Sequence, residues 1–377
     1  MNIAILGAGM VGRTIALDLA KTHQVTSFDV SVENLEFLKQ KNESITIRKE
    51  DLLQYNNYKT WLDPYDIIVS AVPGFMGFKT LETIIGCGKN VADISFFPED
   101  ALQLDVFAKR NNVTAITDVG VAPGVSNFIL GRYNEEMKVD SFECYVGGLP
   151  KNRVKPFEYK APFSPIDVIE EYIRPARYQV NGSIVIKPAL SEAELIDFKE
   201  VGILEAFNTD GLRSLLYTMA HIPNLKEKTL RYPGHIDLII ALKQAGFFEK
   251  EPINYNGMMV SPLEFSSNIL MNNWKLGEEE EELTVMKVIV EGVLNETKHR
   301  VEYDLLDVYD NNTKTSSMSR TTGYTCTAAV ELIAQKMFNE KGIFPPELIG
   351  KHKTCFNFVI NYLKERNVLW NKKAEIK

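Results

Sequence analysis

The sequence predicts an α/β chain in which a doubly wound parallel sheet comes first and an α+β domain with a mixed sheet follows. Three observations carry this: short apolar runs alternate with helix-like stretches up to about residue 120, a glycine turn joins the first run to the first helix, and longer strand patterns take over afterwards. At 377 residues the chain exceeds one ordinary domain of roughly 100 to 200 residues, so two domains are expected. Their bounds are set at 1–122 and 123–322, with helices in 323–377 packing back on the first domain.

Strand runs in the first part are Ile3 to Leu6, Val25 to Phe28, Ile45 to Ile47, Ile67 to Ser70, Asn90 to Ala92 and Val113 to Ile116. Helices are expected between them at Met10 to Lys21, Val32 to Gln40, Phe75 to Ile85 and Glu99 to Arg110, with Pro98 suited to a helix start, where its missing N–H has no partner to lose. Six such strands suffice for a doubly wound domain. Further along, strand patterns at Glu143 to Val146, Ser183 to Ile186, Val285 to Val290 and His299 to Val308 point to a larger mixed sheet. Helices are expected there at Pro165 to Tyr172, Gly211 to Met219 and His235 to Ala245, then at Tyr324 to Phe338 and Cys355 to Arg366, before a charged tail, residues 372–377, that is expected to fray.

Gly7-Ala8-Gly9-Met10-Val11-Gly12 fits G-x-G-x-x-G, follows a strand directly and opens a helix, which is the context the motif requires. Gly7 permits the tight turn, Gly9 lets the backbone approach a pyrophosphate, and Gly12 lets helix and strand pack closely, the Rossmann arrangement. The helix N-terminus, with Met10 and Val11 in its first turn, offers unpaired N–H groups and positive partial charge to phosphates. Asp29 stands 17 residues beyond Gly12, where a carboxylate accepts hydrogen bonds from adenosine ribose hydroxyls and repels a 2′-phosphate. NAD is therefore the expected cofactor, with NADP still open through Arg13 and Lys49. Asp51 and Leu52 border the adenine or cap a helix, and Ala71, Val72, Pro73 and Ser95 are expected along the dinucleotide because they follow strand ends.

Composition narrows the partners. Hydrophobic residues are 45% and charged residues 24%, the balance of a globular protein, and no segment is apolar enough to span a membrane as a helix. With 42 basic and 50 acidic residues the net charge of −8 repels nucleic acid and anionic membranes, which leaves small molecules. The strand-like start offers no secretion leader, so the cytoplasm is expected. Cys87, Cys144, Cys326 and Cys355 are dispersed, so neither a metal site nor a disulfide is expected. Glu278 to Glu282 reads as a solvated turn between Trp274 and the strand that begins at Leu283, ahead of the alternative of a binding patch.

Loops after the fifth and sixth strand runs place Asp93 and Asp118 near the reactive end of the crevice, either as general bases or substrate contacts, or as turn residues. Arg231-Tyr232-Pro233-Gly234-His235 reads as a carboxylate clamp with a proton-shuttling imidazole, or equally as an interface ion pair and a helix cap. Thr209 and Asp210 sit in a similar polar turn, and the segments 159–164, with Lys160, and 174–177, with Arg177, add cations that attract an amino acid's carboxylate.

Taken in order, Gly7 to Gly12, Asp93 to Phe96, Asp118 to Asn127, Gly147 to Pro150, Phe207 to Arg213 and Arg231 to His235 resemble the saccharopine dehydrogenase family, and most of all its lysine 6-dehydrogenase branch. The resemblance runs from Met1 to about Phe338. It implies oxidation of a carbon bearing an amine, with hydride passing to nicotinamide and an imine formed, the amine being the side-chain one of L-lysine. Saccharopine reductases of the family carry an acid before Pro-Gly, where this chain has Ala122, which argues against saccharopine. Within this chemistry Asp118, Lys160 and His235 are the candidates for proton handling, Arg231 and Arg177 for holding a carboxylate, and Asp93, Thr209 and Asp210 for further substrate contacts. A homodimer or homotetramer is expected. The competing expectations are saccharopine or carboxynorspermidine-type oxidation and a regulatory protein that binds NAD(H) without turnover.

Overall fold

The computed structural model describes residues 1–162 and 165–376. Its first region runs β1 (Asn2–Leu6), α1 (Met10–Leu19), β2 (Gln24–Asp29), α2 (Val32–Lys41), β3 (Thr46–Lys49), α3 (Tyr58–Leu62), β4 (Ile67–Ser70), α4 (Gly74–Gly86), β5 (Asn90–Asp93), α5 (Asp105–Arg110) and β6 (Thr114–Ile116). After α6 (Val125–Asn134) come β7 (Lys138–Pro150), α7 (Pro165–Ile173), β8 (Ala176–Val180), β9 (Ser183–Lys187), β10 (Glu194–Phe198), β11 (Gly202–Asn208), α8 (Leu215–Thr218), β12 (Asn224–Arg231) and α9 (His235–Gln244). A small hairpin of β13 (Ile253–Tyr255) and β14 (Met258–Val260), then α10 (Pro262–Trp274), lead to β15 (Glu282–Leu294) and β16 (Thr297–Val308). The last stretch holds α11 (Ser317–Ala334), β17 (Gly342–Phe344), α12 (Pro346–Gly350), α13 (Lys353–Glu365) and β18 (Trp370–Ile376).

Ile3, Ala4, Ile5 and Leu6 are wholly buried, as a parallel strand covered on both faces requires. The first sheet has seven parallel strands in the order β17-β6-β5-β4-β1-β2-β3. Order reverses at β1, which pairs β2 on one side and β4 on the other, so a crevice opens beyond the carboxyl ends of β1 and β4. The second sheet runs β10-β11-β12-β7-β15-β16-β18, with β8 and β9 attached to β12. Its long strands β7, β15 and β16 form an antiparallel meander, and β12 joins β7 in parallel.

Several expectations change. The first sheet gains a seventh strand, β17, which returns to pair β6 through Gly342↔Thr114 and Phe344↔Ile116. The last stretch is accordingly not helices alone. Residues 372–376 of the tail are paired instead: β18 pairs β16 from Leu305↔Trp370 to His299↔Ile376, and Lys373 meets Asp304 at 2.5 Å, while Lys377 lies outside the described residues. Helix onset after Pro98 waits for Asp100, whose carboxylate caps the Leu102 N–H at 2.9 Å. The helix expected over Gly211 to Met219 shrinks to α8, because Arg213 adopts φ +45 and the Gly211 N–H is taken by Glu227.

One apolar core passes from the first sheet through α6 and α11 to the second, and includes Ile5, Ile116, Phe128, Leu332 and Val288. A separate cluster of Tyr159, Tyr172, Phe207 and Trp274 supports the far wall of the crevice. Each fully buried large side chain contributes about 2 kcal/mol.

Candidate active site

A cavity of about 1190 Å³ occupies the crevice and continues into the second region. Gly7, at φ +109, and Gly12 form its floor; a Cβ on Gly7 would lie 2.3 Å from the Ala71 oxygen, and one on Gly12 2.2 Å from the Gly7 oxygen. Gly9 differs, since a Cβ there meets nothing within 4 Å, so this glycine leaves room on the cavity side rather than within the protein. Gly9 also caps α1 with no side-chain acceptor, which leaves the first N–H groups of the helix for an anion. Asp29 accepts the Ala8 N–H at 2.6 Å through Oδ2 and the Ser31 N–H at 2.7 Å through Oδ1, fixing its carboxylate beside the glycine turn. With Met10, Val11, Asp51, Leu52, Ala71, Val72 and Pro73 on the same walls, this half fits the adenosine and pyrophosphate of a dinucleotide in shape and polarity. Among the described residues no cluster could hold a metal ion.

The other half is built by β12. Glu227, Thr229 and Arg231 alternate along it, so all three project from one face into the cavity. Glu227 accepts the Thr209 hydroxyl at 2.8 Å and the Gly211 N–H at 3.1 Å, and among the described residues it forms no ion pair. Burial pushes its carboxyl up to about 8 against those two hydrogen bonds. Arg231 lies 4.4 Å from the centre of the Tyr159 ring and reaches Glu171 at 3.3 Å. Burial likewise raises the Glu171 carboxyl to about 7, with Arg231 opposing. Arg174 also reaches the cavity, 5.5 Å over the Phe96 ring, and makes no ion pair among the described residues.

Of the residues singled out in the sequence, Asp118, Thr209, Asp210 and Arg231 stand on the cavity wall. Asp118, at φ +55, binds Arg213 Nε at 2.8 Å; burial raises its pKa and Arg213 opposes the rise. His235 does not line the cavity. Its Nδ1 meets the Phe157 carbonyl at 2.9 Å, an acceptor only, so Nδ1 carries the proton and Nε2 accepts from the Tyr172 hydroxyl at 3.0 Å. That hydroxyl in turn accepts from Arg231 Nε at 3.1 Å, so His235 orients the arginine rather than moving protons. Burial, and then Arg231, lower its pKa to about 3, which keeps the ring neutral.

Four other residues also lie off the cavity wall. Ser95 is buried between Ser70, 3.2 Å away, and Gly77, so it touches no dinucleotide. Asp93 is fully buried beneath the loop, Oδ1 accepting the Ser95 N–H at 3.1 Å, and burial raises its carboxyl to about 7. Lys160 turns to the Lys275 carbonyl at 3.4 Å and Glu280 at 3.9 Å. Arg177 grips Asp210 with two bonds of 2.9 Å and faces a smaller pocket of about 270 Å³. Phe163 and Ser164, part of the cation-bearing segment, lie outside the described residues.

Sequence reading missed Glu227, Thr229 and Glu171, and within the cation-bearing segment 174–177 it put the weight on Arg177 where Arg174 is the one on the cavity wall. The alternation in Glu227-Lys228-Thr229-Leu230-Arg231 was a usable signal, as was the three-residue spacing of Glu171 and Arg174, which puts both on one face at the end of α7.

Comparisons place these features among known proteins. Residues 3–116 match the family model described as the saccharopine dehydrogenase NADP binding domain, and residues 120–368 match the saccharopine dehydrogenase C-terminal domain. The mitochondrial alpha-aminoadipic semialdehyde synthase of Rattus norvegicus is 21% identical over 265 residues, 66% of this chain and 29% of its own length. Saccharopine dehydrogenase [NADP(+), L-glutamate-forming] of Pyricularia oryzae is 25% identical over 267 residues, 66% of this chain and 58% of its own. The matched stretch thus spans less than two thirds of each relative's length. Among solved structures, apo histidine-tagged saccharopine dehydrogenase (L-Glu forming) from Saccharomyces cerevisiae superposes with a TM-score of 0.79 over 99% of both chains at 17% identity, which shows a shared fold.

Proposed function

The chain belongs to the saccharopine dehydrogenase family and carries its nicotinamide-dinucleotide-binding domain, and from that premise we propose that it oxidises the side-chain amine carbon of L-lysine with NAD. Glu227 carries the reading: a carboxyl in the substrate wall with no cation beside it among the described residues suits a ligand that brings its own ammonium. Lysine has one more ammonium than a simple amino acid, whereas saccharopine brings an excess of carboxylates.

When bound, the nicotinamide ring supplies the hydride acceptor. Glu227, raised to about 8 by burial, gives up its proton to solvent when the substrate's ammonium arrives beside it, and the carboxylate then receives the proton that must leave before the amine carbon is oxidised. Arg174 holds the α-carboxylate, and the Arg231 guanidinium, fixed by Tyr172 and Glu171, backs it up. Asp118, anchored by Arg213, stands on the wall where water adds to the resulting imine to give the semialdehyde and ammonia. NAD rather than NADP follows from Asp29 at the ribose. The same reading takes the protein to act in the cytoplasm as a homodimer or homotetramer, which light scattering tests.

A second reading is oxidation of saccharopine, favoured by the names of the Pyricularia and Saccharomyces proteins. Following NADH absorbance with NAD or NADP and a panel of L-lysine, saccharopine, ornithine and carboxylated polyamines separates the two. A signal with lysine alone is expected; a signal with saccharopine establishes the second reading, and silence despite tight NADH binding rejects both.

A further inference from the structure

We infer that Glu278 sets the dinucleotide preference by holding Arg13 away from a phosphate on the adenosine 2′ oxygen. Arg13 follows Gly12 in the first turn of α1, and its guanidinium lies 4.3 Å over the Phe37 ring of α2. That places a cation on the stretch of wall shared with Asp29, Glu33 and Asn34, where the adenosine ribose faces the Asp29 carboxylate. A guanidinium there is the counter-ion a 2′-phosphate needs. It is already engaged: Glu278, from the loop after α10 on the opposite wall, meets Arg13 Nη2 at 2.7 Å.

The two partners differ in exposure. The Arg13 side chain is 8% exposed and Glu278 53%, so the arginine is built into the wall while the acid reaches over it from outside. Lys49, the other cation weighed for this role, ends β3 as an exposed residue and does not line the cavity. A 2′-hydroxyl leaves the Arg13–Glu278 pair intact and the cleft bridged across the dinucleotide. A 2′-phosphate brings about two negative charges against Asp29 and Glu278, and must displace Glu278 to reach Arg13. Selection against NADP is thus a repulsive device spread over two domains.

This inference rests on the dinucleotide site alone, so a wrong substrate leaves it standing. The test is fluorescence titration of NADH and NADPH into the wild type, Glu278→Gln, Arg13→Gln and the double variant. Wild type is expected to bind NADH the more tightly. Glu278→Gln, at a position whose side chain is half-exposed, should tighten NADPH about tenfold and shift NADH far less. That gain should vanish in the double variant. A wild type that already favours NADPH, an unchanged NADPH affinity in Glu278→Gln, an equal gain for NADH, or a gain that survives loss of Arg13 overturns the inference.

Discussion

Glu227 holds its carboxyl against one hydroxyl and one N–H in a wall that supplies no cation among the described residues. Glu227→Gln keeps the shape and removes the charge, so kcat/KM for lysine should fall about thirtyfold, the worth of one charge-assisted hydrogen bond of about 2 kcal/mol, while NADH affinity is unchanged. Steady-state kinetics beside NADH titration checks this; equal losses in both would place Glu227 outside the substrate half. The same group governs stability. Its folded pKa of about 8 lies above the ordinary glutamate value, so between those limits the native state binds more protons than the unfolded one, and stability falls as pH rises. Glu171 and Asp93, both raised to about 7 by burial, act in the same direction up to that pH. His235 acts oppositely: its value of about 3 means the unfolded chain takes the proton first, so stability is lost as pH drops below about 6.5. Between pH 6.5 and 8 the carboxyls dominate, and the ligand-free melting temperature should decline. Glu227→Gln should flatten that decline by up to about 1.4 kcal/mol per pH unit, as followed by thermal melts in matched buffers.

At the scale of the element, the glycine turn separates folding from binding. Gly12 packs its α-carbon onto the Gly7 carbonyl, so Gly12→Ala forces backbone apart and should lower the melting temperature as well as dinucleotide affinity. Gly9 has ordinary φ −66 and an empty surround, so Gly9→Ala should leave the melt unchanged and weaken NADH at least tenfold by filling the pyrophosphate's space. A Gly9→Ala protein that binds NADH normally would remove the pyrophosphate from this turn. The contrast also shows why this element was legible in the sequence: a local motif dictates both turn and ligand. Strands β1 and β4 were legible for a similar reason, as short apolar runs with turn signals after them. Helix α6 was not, because it is buried nearly all round, with Gly131 seated on the Glu347 backbone, and so has no polar face to set a period. Strand β17 has three residues and acquires its identity only by pairing with β6, more than two hundred residues earlier in the chain. His235 failed as a proton shuttle because sequence proximity to Arg231 says nothing of the Phe157 carbonyl that fixes its tautomer.

The molecule as a whole is bound together by its returning C-terminal stretch. Asp18, on α1, has a side chain with no exposure, and its Oδ2 accepts from Thr327 of α11 at 2.8 Å, Tyr362 of α13 at 2.9 Å and Arg366 at 2.8 Å. Burial raises its pKa, yet Arg366 and Lys21 outweigh that and hold it below the ordinary value, so its contribution is present above about pH 4 and lost on further acidification. Removing this carboxylate leaves Arg366 against Tyr362 without its counter-ion, and Asp18→Ala should cost about 3 kcal/mol or more. Strand β17 meanwhile completes the first sheet, β18 closes an edge of the second, and one apolar core spans both. Two sheets that share a core and are laced by the same stretch of chain have no interface along which to part. Thermal unfolding should therefore be one transition by circular dichroism, for the wild type and for Asp18→Ala at lower temperature. NADH at about a hundred times its dissociation constant should move that whole transition by about 2.7 kcal/mol, although it binds chiefly the first region. Two resolved transitions, with only one shifted by NADH, would show that the sheets unfold independently and that the Asp18 hub does not couple them.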